Sequence, residues 1–229
     1  KNITNNLKGW KIKYYKGLGT STSKEAKEYF VDFDNNLINY LWDSQVKVSD
    51  NAITLAFEKK RSNDRKKWLM NYDKNDILTY EEKEVSYNDF INKDLKHFSN
   101  DDTSRSIPHI MDGLKPSQRK ILYGAFLRGL DKDEVKVAQL AGFVSDKAAY
   151  HHGEMSLNGA IVGMAQNFIG SNNINILEPA GQFGTRLKGG KDSASSRYIW
   201  TSIPKLTTQI FNKDDNMILN LQEEDGMPI

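Results

Sequence analysis

Three apolar helical segments in the second half of the chain, followed by a short strand-and-turn region, constrain the fold most. The first begins at Pro116, a residue that the first turn of a helix tolerates, and carries an apolar stripe over residues 121–126. Segments 134–148 and 153–170 show amphipathic helical spacing, and residues 173–190 are typical of short strands and turns. Three short helices before such a region indicate a winged-helix domain of the helix-turn-helix type.

The first half of the chain mixes strand and helix signals, so the predicted fold class is α+β. Residues 10–15 predict a strand, and Gly17 and Gly19 predict a tight turn after it. Thr22 and Glu25 have the spacing of a capping box, which predicts a helix to about residue 30.

Two more helices are expected before the second half. One covers residues 51–72 and becomes strongly basic along its length, and a short one covers residues 87–98. Residues 71–84 are polar and patternless, which indicates a linker.

Charge and composition exclude several classes of protein. The 32 basic and 30 acidic residues leave a net charge of +2, so any phosphate recognition must come from locally placed cations. No apolar run approaches the roughly 18 residues of a membrane span. The absence of cysteine excludes disulfides and thiolate metal sites. The start, KNITNN, suggests a piece of something longer.

Four motifs suggest ligands without meeting the requirements. Asp32 and Asp34, like Asp131 and Asp133, are two residues apart, and the first pair favours an acidic helix end over a magnesium site. The segment GTRLKGGKDS lacks the G-x-x-x-x-G-K-[ST] spacing of a phosphate loop. The adjacent histidines 151 and 152 lack the H-E-x-x-H spacing of zincins. A histidine at the start of a helix, able to donate to a phosphate, is the favoured interpretation. We therefore predict no metal site.

Tyr198 stands in a segment of small and polar residues, directly after Arg197. A tyrosine phenol has a pKa near 10, and a neighbouring guanidinium can lower it and bind phosphoryl oxygens. The pair therefore suggests a nucleophile for phosphorus. A surface tyrosine of the wing is the alternative, and the residues alone leave both open.

Basic residues gather around the predicted start of the helix at Pro116, where the helix dipole favours phosphates. They are Arg105, Lys115, Arg119 and Lys120. A second basic run covers residues 65–67. Each group is a candidate phosphate contact or a solvated helix face.

Eight segments, in order along nearly the whole chain, resemble the DNA breakage-reunion core of eukaryotic-type DNA topoisomerase II. They are KYYKGLGTSTSKEAKEYF, DRKKWL, YNDFINKDL, RSIPHIMDGLKPSQRK, VKVAQLAG, AYHHGEMSL, AQNFIGSNN and GQFGTRLKGGKDSASSRYI. The resemblance implies the C-terminal end of a toprim α/β domain at residues 1–75, a linker with a short helix at 76–100, and a winged-helix cleavage domain at 101–229.

The resemblance also implies roles for individual residues. Tyr198 matches the nucleophile that bonds to the 5′ end of a cut strand, Arg197 the residue that stabilises the transition state, and His152 a histidine at the same phosphate. The positions that match DNA contacts are Arg65, Lys66, Arg105, Lys115, Tyr150 and Ser156.

The implied activity is ATP-dependent strand passage through a transient double-strand break, by a homodimer acting on double-stranded DNA in the nucleus, or in a host cell or virion if the source is a large DNA virus. Mg²⁺ and ATP would serve the whole enzyme through ligands outside this chain, since the toprim acidic residues, the ATPase domain and the tower are missing. The piece alone is therefore expected to be inactive. A winged-helix module that binds DNA without chemistry, or a fragment that only dimerises, is the alternative.

Overall fold

The computed structural model describes residues 13, 21–43, 46–80, 83–224 and 226–228. The chain divides into two compact units, residues 1–100 and 101–229. The strand expected at residues 10–15 and the turn at Gly17 and Gly19 lie outside the described residues, except for Lys13. None of the helices in the described ranges is long and apolar enough to cross a membrane.

Short helices and two short strands make up the described part of the first unit up to residue 86. They are α1 (Ser23–Val31), α2 (Phe33–Asn36), β1 (Asn39–Leu41), α3 (Val46–Phe57), α4 (Ser62–Met70) and β2 (Glu84–Ser86). The two strands pair in parallel, with Tyr40 opposite Val85. The predicted capping box is confirmed: the Glu25 amide donates to Thr22 Oγ1, and the Thr22 amide donates to the Glu25 carboxylate at 2.7 Å.

The prediction of a single helix over residues 51–72 is wrong. A 3₁₀ turn at Lys59–Arg61 separates α3 from α4. The guanidinium of Arg65 donates to the carbonyls of Leu55 and Glu58, at 3.1 and 2.6 Å, and so satisfies carbonyl groups at the end of α3. Arg65 is a residue of α4, and its side chain caps the C-terminal end of α3.

The helix expected over residues 87–98 is longer than predicted. It runs as α5 (Tyr87–Asp89), a π-helical segment (Phe90–Leu95) and α6 (Lys96–Ser106). Its last turns are polar and show no apolar period, which is why the pattern missed them.

Residues 71–80 have no regular structure, in agreement with the predicted linker, but they are fastened to this helical run. The Tyr80 hydroxyl donates to Asp94 at 2.7 Å, and that hydrogen bond raises the pKa of Tyr80 to about 12. His97 bonds the Asp76 carbonyl at 2.9 Å, and Lys96 donates to the Asn71 carbonyl at 2.8 Å.

Three helices and a three-stranded antiparallel sheet form the centre of the second unit. The elements of this unit after α6 are α7 (Pro116–Leu127), β3 (Val135–Lys136), α8 (Val137–Lys147), α9 (Glu154–Ala165), β4 (Glu178–Ala180), β5 (Trp200–Ser202), α10 (Lys205–Ile210), β6 (Glu223–Glu224) and β7 (Met227–Pro228). The sheet has the order β3-β5-β4. The predicted winged-helix arrangement is confirmed.

The core of this unit lies between the helices and the sheet. Ile121 of α7, Leu140 of α8 and Leu157 of α9 are fully buried, and Thr201 of β5 is buried opposite Val135. The predicted stripe at residues 121–126 therefore faces the core, and Pro116 occupies the first turn of α7. This packing fixes the segments between the elements, where the candidate site lies.

Candidate functional site

Tyr198 and Arg197 lie in a turn immediately before β5. The Tyr198 amide donates to the Ser195 carbonyl at 2.9 Å, which closes the turn. The next residue, Ile199, is 1% exposed, whereas Tyr198 is 75% exposed. The phenol therefore projects into solvent from a backbone that is anchored in the core.

The same turn is bonded to the start of α8. The amide of Val137 donates to the Ile199 carbonyl at 3.0 Å, and the amide of Ala138 donates to the Ser196 carbonyl at 3.1 Å. The first amides of a helix lack partners within it, so these two bonds cap α8 and fix both sides of the Arg197–Tyr198 pair. The sequence did not predict this connection, because it joins segments about sixty residues apart.

Gln166, at the end of α9, holds the loop that leads to this turn. Its side-chain nitrogen donates to the carbonyls of Phe183 and Gly190, at 2.8 and 3.2 Å, and its oxygen accepts from the Ser171 hydroxyl at 2.7 Å. Gly190 has a φ of +78°, and a Cβ there would lie 2.3 Å from the Gln166 nitrogen. Sequence reasoning missed Gln166, since nothing in the helical pattern distinguishes it.

The two ends of the loop segment GTRLKGGKDS are joined by hydrogen bonds to the carboxylate of Asp192. The amide and hydroxyl of Thr185 both donate to Asp192 at 2.8 Å. These two bonds hold the pKa of Asp192 below its usual value. A phosphate loop needs backbone N–H groups directed at the ligand. In this loop the Thr185 amide is directed at the Asp192 carboxylate.

His152 lies between α8 and α9, one residue before Gly153, the N-cap of α9. Both histidines, His151 and His152, are exposed. Tyr150 is 8% exposed, and burial raises the pKa of its phenol. Its ring meets the His152 ring edge to face, with the centroids 5.4 Å apart. The imidazole therefore rests on a buried aromatic ring at the start of a helix.

Of the basic residues expected around the start of α7, the structure places Lys115 at its N-cap. An ammonium cannot accept a hydrogen bond, so the Gln118 side chain does the capping by accepting from the Lys115 amide at 2.9 Å. Arg119 instead forms two bonds to Asp112, at 2.8 and 2.9 Å. Partial burial would raise the pKa of Asp112, but the Leu114 amide and the Arg119 guanidinium lower it.

Comparison with known proteins matches each unit to a family model. Residues 105–229, more than half of the chain, match the family model of the DNA gyrase/topoisomerase IV A subunit, and residues 1–103 match that of the C-terminal associated domain of TOPRIM. The chain belongs to the type II DNA topoisomerase family.

Named relatives resemble this topoisomerase II chain along its whole length. It is 53% identical to DNA topoisomerase 2 of Plasmodium falciparum over 98% of the chain, and 52% identical to human DNA topoisomerase 2-alpha over 100% of it. The crystal structure of the P. falciparum topoisomerase II DNA-binding, cleavage and re-ligation domain covers 98% of the chain, with a TM-score of 0.72 and 54% identity. The chain covers 30% of that structure and spans 16% of each of the two curated relatives.

The remaining residues that the family resemblance assigns to DNA lie on different helices. Arg65 lies on α4, where its guanidinium holds the end of α3, and its neighbour Lys66 is exposed. Arg105 lies in the last turn of α6 and pairs with Asp101 and Asp102, at 3.5 and 3.3 Å.

Ser156 is exposed in the first turn of α9, and its amide donates to the Gly153 carbonyl at 3.0 Å. Ser156 follows His152 by four residues, and both residues are at the N-terminal end of α9. Both side chains are open to a ligand that approaches this end of α9.

The acidic pairs at 32–34 and 131–133 lie outside any larger cluster of metal-ligand side chains in the described part of the topoisomerase II chain. No group of three or more histidine, aspartate or glutamate side chains comes together there. Asp32 ends α1, as the sequence favoured, and Asp131 pairs with Lys213 at 2.7 Å.

Proposed function

We propose that the full protein is an ATP-dependent DNA topoisomerase II, and that Tyr198 is its nucleophile. The observation that carries this proposal is the exposed phenol beside Arg197, on a turn fixed to the start of α8. A nucleophile must be open to its substrate and held in place, and this turn supplies both.

The proposed reaction exchanges one phosphodiester for another. The Tyr198 oxygen attacks the phosphorus, the phenol loses its proton, and the bond to the 3′ oxygen breaks, so that a 3′ hydroxyl leaves with a proton. A 5′ phosphotyrosyl ester remains, and attack by the 3′ hydroxyl reverses the step. Arg197 binds the phosphoryl oxygens as charge develops, and His152 donates to the same phosphate.

Double-stranded DNA and a second copy of the chain are the proposed partners, since two tyrosines must cut two strands. The proposed DNA contacts are Arg65, Lys66, Arg105, Lys115, Tyr150 and Ser156. Mg²⁺ and ATP would act through parts of the enzyme outside this chain. We assign residues 1–75 to the C-terminal part of a toprim domain, 76–100 to a linker with a short helix and 101–229 to the winged-helix cleavage domain.

We also propose a nuclear location. A relative named DNA topoisomerase 2, mitochondrial, from Dictyostelium discoideum is 51% identical over 97% of this chain. The matching region therefore does not distinguish the two compartments, and imaging of the tagged full-length protein would.

A suicide DNA substrate tests the proposal in the full-length protein. We expect the wild type to form a covalent adduct at the 5′ end of the cut strand, and Tyr198→Phe to bind DNA without forming one. Tyr40→Phe, which changes an exposed tyrosine of the first unit, is the matched control and should form the adduct. Retention of DNA without any adduct in the wild type would favour a winged-helix binding module, and an adduct in Tyr198→Phe would refute the assignment.

A further inference from the structure

The backbone just before Tyr150 is strained. Ala149 has a φ of +46°, and the only other described residue besides glycine with a positive φ is Lys83. This left-handed conformation is unfavourable for alanine, and such residues persist only where their surroundings enforce them. Ala149 is 1% exposed, so the conformation lies in the packed interior and is not a feature of a surface loop.

A lysine from another helix holds this strained residue. The ammonium of Lys120 on α7 donates to the Ala149 carbonyl at 2.9 Å, in a partly buried position. A hydrogen bond from a charged donor is stronger than a neutral one, and it fixes the direction of this carbonyl. The sequence left a phosphate contact and a solvated helix face open for Lys120, but the structure directs this side chain to the backbone.

The strained residue leads directly to the candidate catalytic histidine. Tyr150 follows Ala149 with its ring buried, and that ring packs edge to face against His152. Two contacts and one peptide bond therefore connect the Lys120 ammonium, the left-handed residue, the buried ring and the imidazole. The backbone direction after α8 therefore sets the position of His152.

We propose that Lys120 and Ala149 are positioning residues for His152, and that Lys120 acts through the Ala149 carbonyl and not through a DNA phosphate. The inference rests on the proposed function. A group that donates to a reacting phosphate must be held to within about 0.5 Å, and residues that lock it there need not touch the substrate.

Lys120→Met in the full-length enzyme tests the role of the ammonium, since methionine keeps the apolar stem. We expect adduct formation at saturating DNA to slow about 10- to 100-fold, as for other losses of positioning. The affinity for DNA and its salt dependence should stay as in the wild type. Lys120→Arg should restore most of the rate, because a guanidinium can donate to the same carbonyl. Lys147→Met, an exposed change of the same kind on α8, is the control.

Ala149→Gly tests the strained peptide without changing any charge. Glycine adopts a positive φ freely, so the segment loses its rigidity while the fold persists. We expect slower adduct formation, with a pH profile that approaches that of His152→Ala. A merely destabilising change would scale the rate equally at every pH.

The outcomes separate this inference from the proposed function. A wild type that forms no adduct refutes the function itself. If the wild type is active and Lys120→Met lowers the slope of log affinity against log salt by about 0.9, Lys120 contacts a phosphate and the inference is wrong. Wild-type adduct rates in Lys120→Met and Ala149→Gly would also overturn it.

Discussion

Replacement of Gln166 by alanine should loosen the loop that carries the nucleophile. The side chain is 8% exposed and bonds two carbonyls and one hydroxyl, on Phe183, Gly190 and Ser171. A neutral hydrogen bond contributes about 1 kcal/mol net, and a buried polar group left without a partner costs about 1–3 kcal/mol. Loss of the carboxamide should therefore cost ~2–4 kcal/mol of local stability, which corresponds to about 30- to 1,000-fold more frequent opening of the loop.

Hydrogen exchange with mass spectrometry on the full-length protein measures this effect, because global unfolding of a large multidomain enzyme is not two-state. The reporters are the amides of Gly190 and Ala194, which donate to the carbonyls of Thr185 and Gln182, at 2.9 Å each. Both should exchange faster in the variant, while amides in the core of α8 stay protected.

Gln209→Ala, an exposed change of the same type on α10, is the control and should leave the loop protected. If hydrogen exchange in residues 183–198 rises by less than about threefold in Gln166→Ala, the loop has lost less than ~0.6 kcal/mol of local stability. That result would refute the view that Gln166 holds this loop. Adduct formation should slow in step with the exchange, because the same loop ends at Tyr198.

Three further predictions concern the proposed chemistry and binding in the full-length enzyme. Arg197→Lys keeps the charge but loses the planar fork, so cleavage should slow by about 10²–10³; a wild-type rate would show that two-point contact is not needed. His152→Ala should slow cleavage with little loss of affinity, whereas His151→Ala should mainly affect stability; equal kinetic defects in two stable variants would contradict this division. Lys115→Ala should reduce the salt slope of duplex binding by about 0.9, and equally for all DNA sequences; an unchanged slope in a salt titration would argue for a solvated lysine.

Local rules were sufficient for several elements, and they singled out the candidate nucleophile without deciding its role. Thr22 and Glu25 mark the start of α1 because a capping box needs only residues three apart. Pro116 marks the start of α7, and the apolar period of the three helices predicts the core of the second unit. Arg197 and Tyr198 stood out because they are large residues in a segment of small ones that cannot pack a core.

The tertiary structure alone decided which partner each cation and each loop carbonyl would have. Arg65 and Lys120 looked equally suited to phosphate in the sequence, yet one holds the end of α3 and the other holds Ala149. Gln166 carried no signal at all, because its partners lie up to 24 residues away. The sequence by itself determines where helices begin and which faces are apolar, since those depend on neighbours within one or two turns. Hydrogen bonds between distant segments depend on how the helices pack, and only that packing brought the strained Ala149, the buried Tyr150 and the capped turn of Tyr198 into their positions.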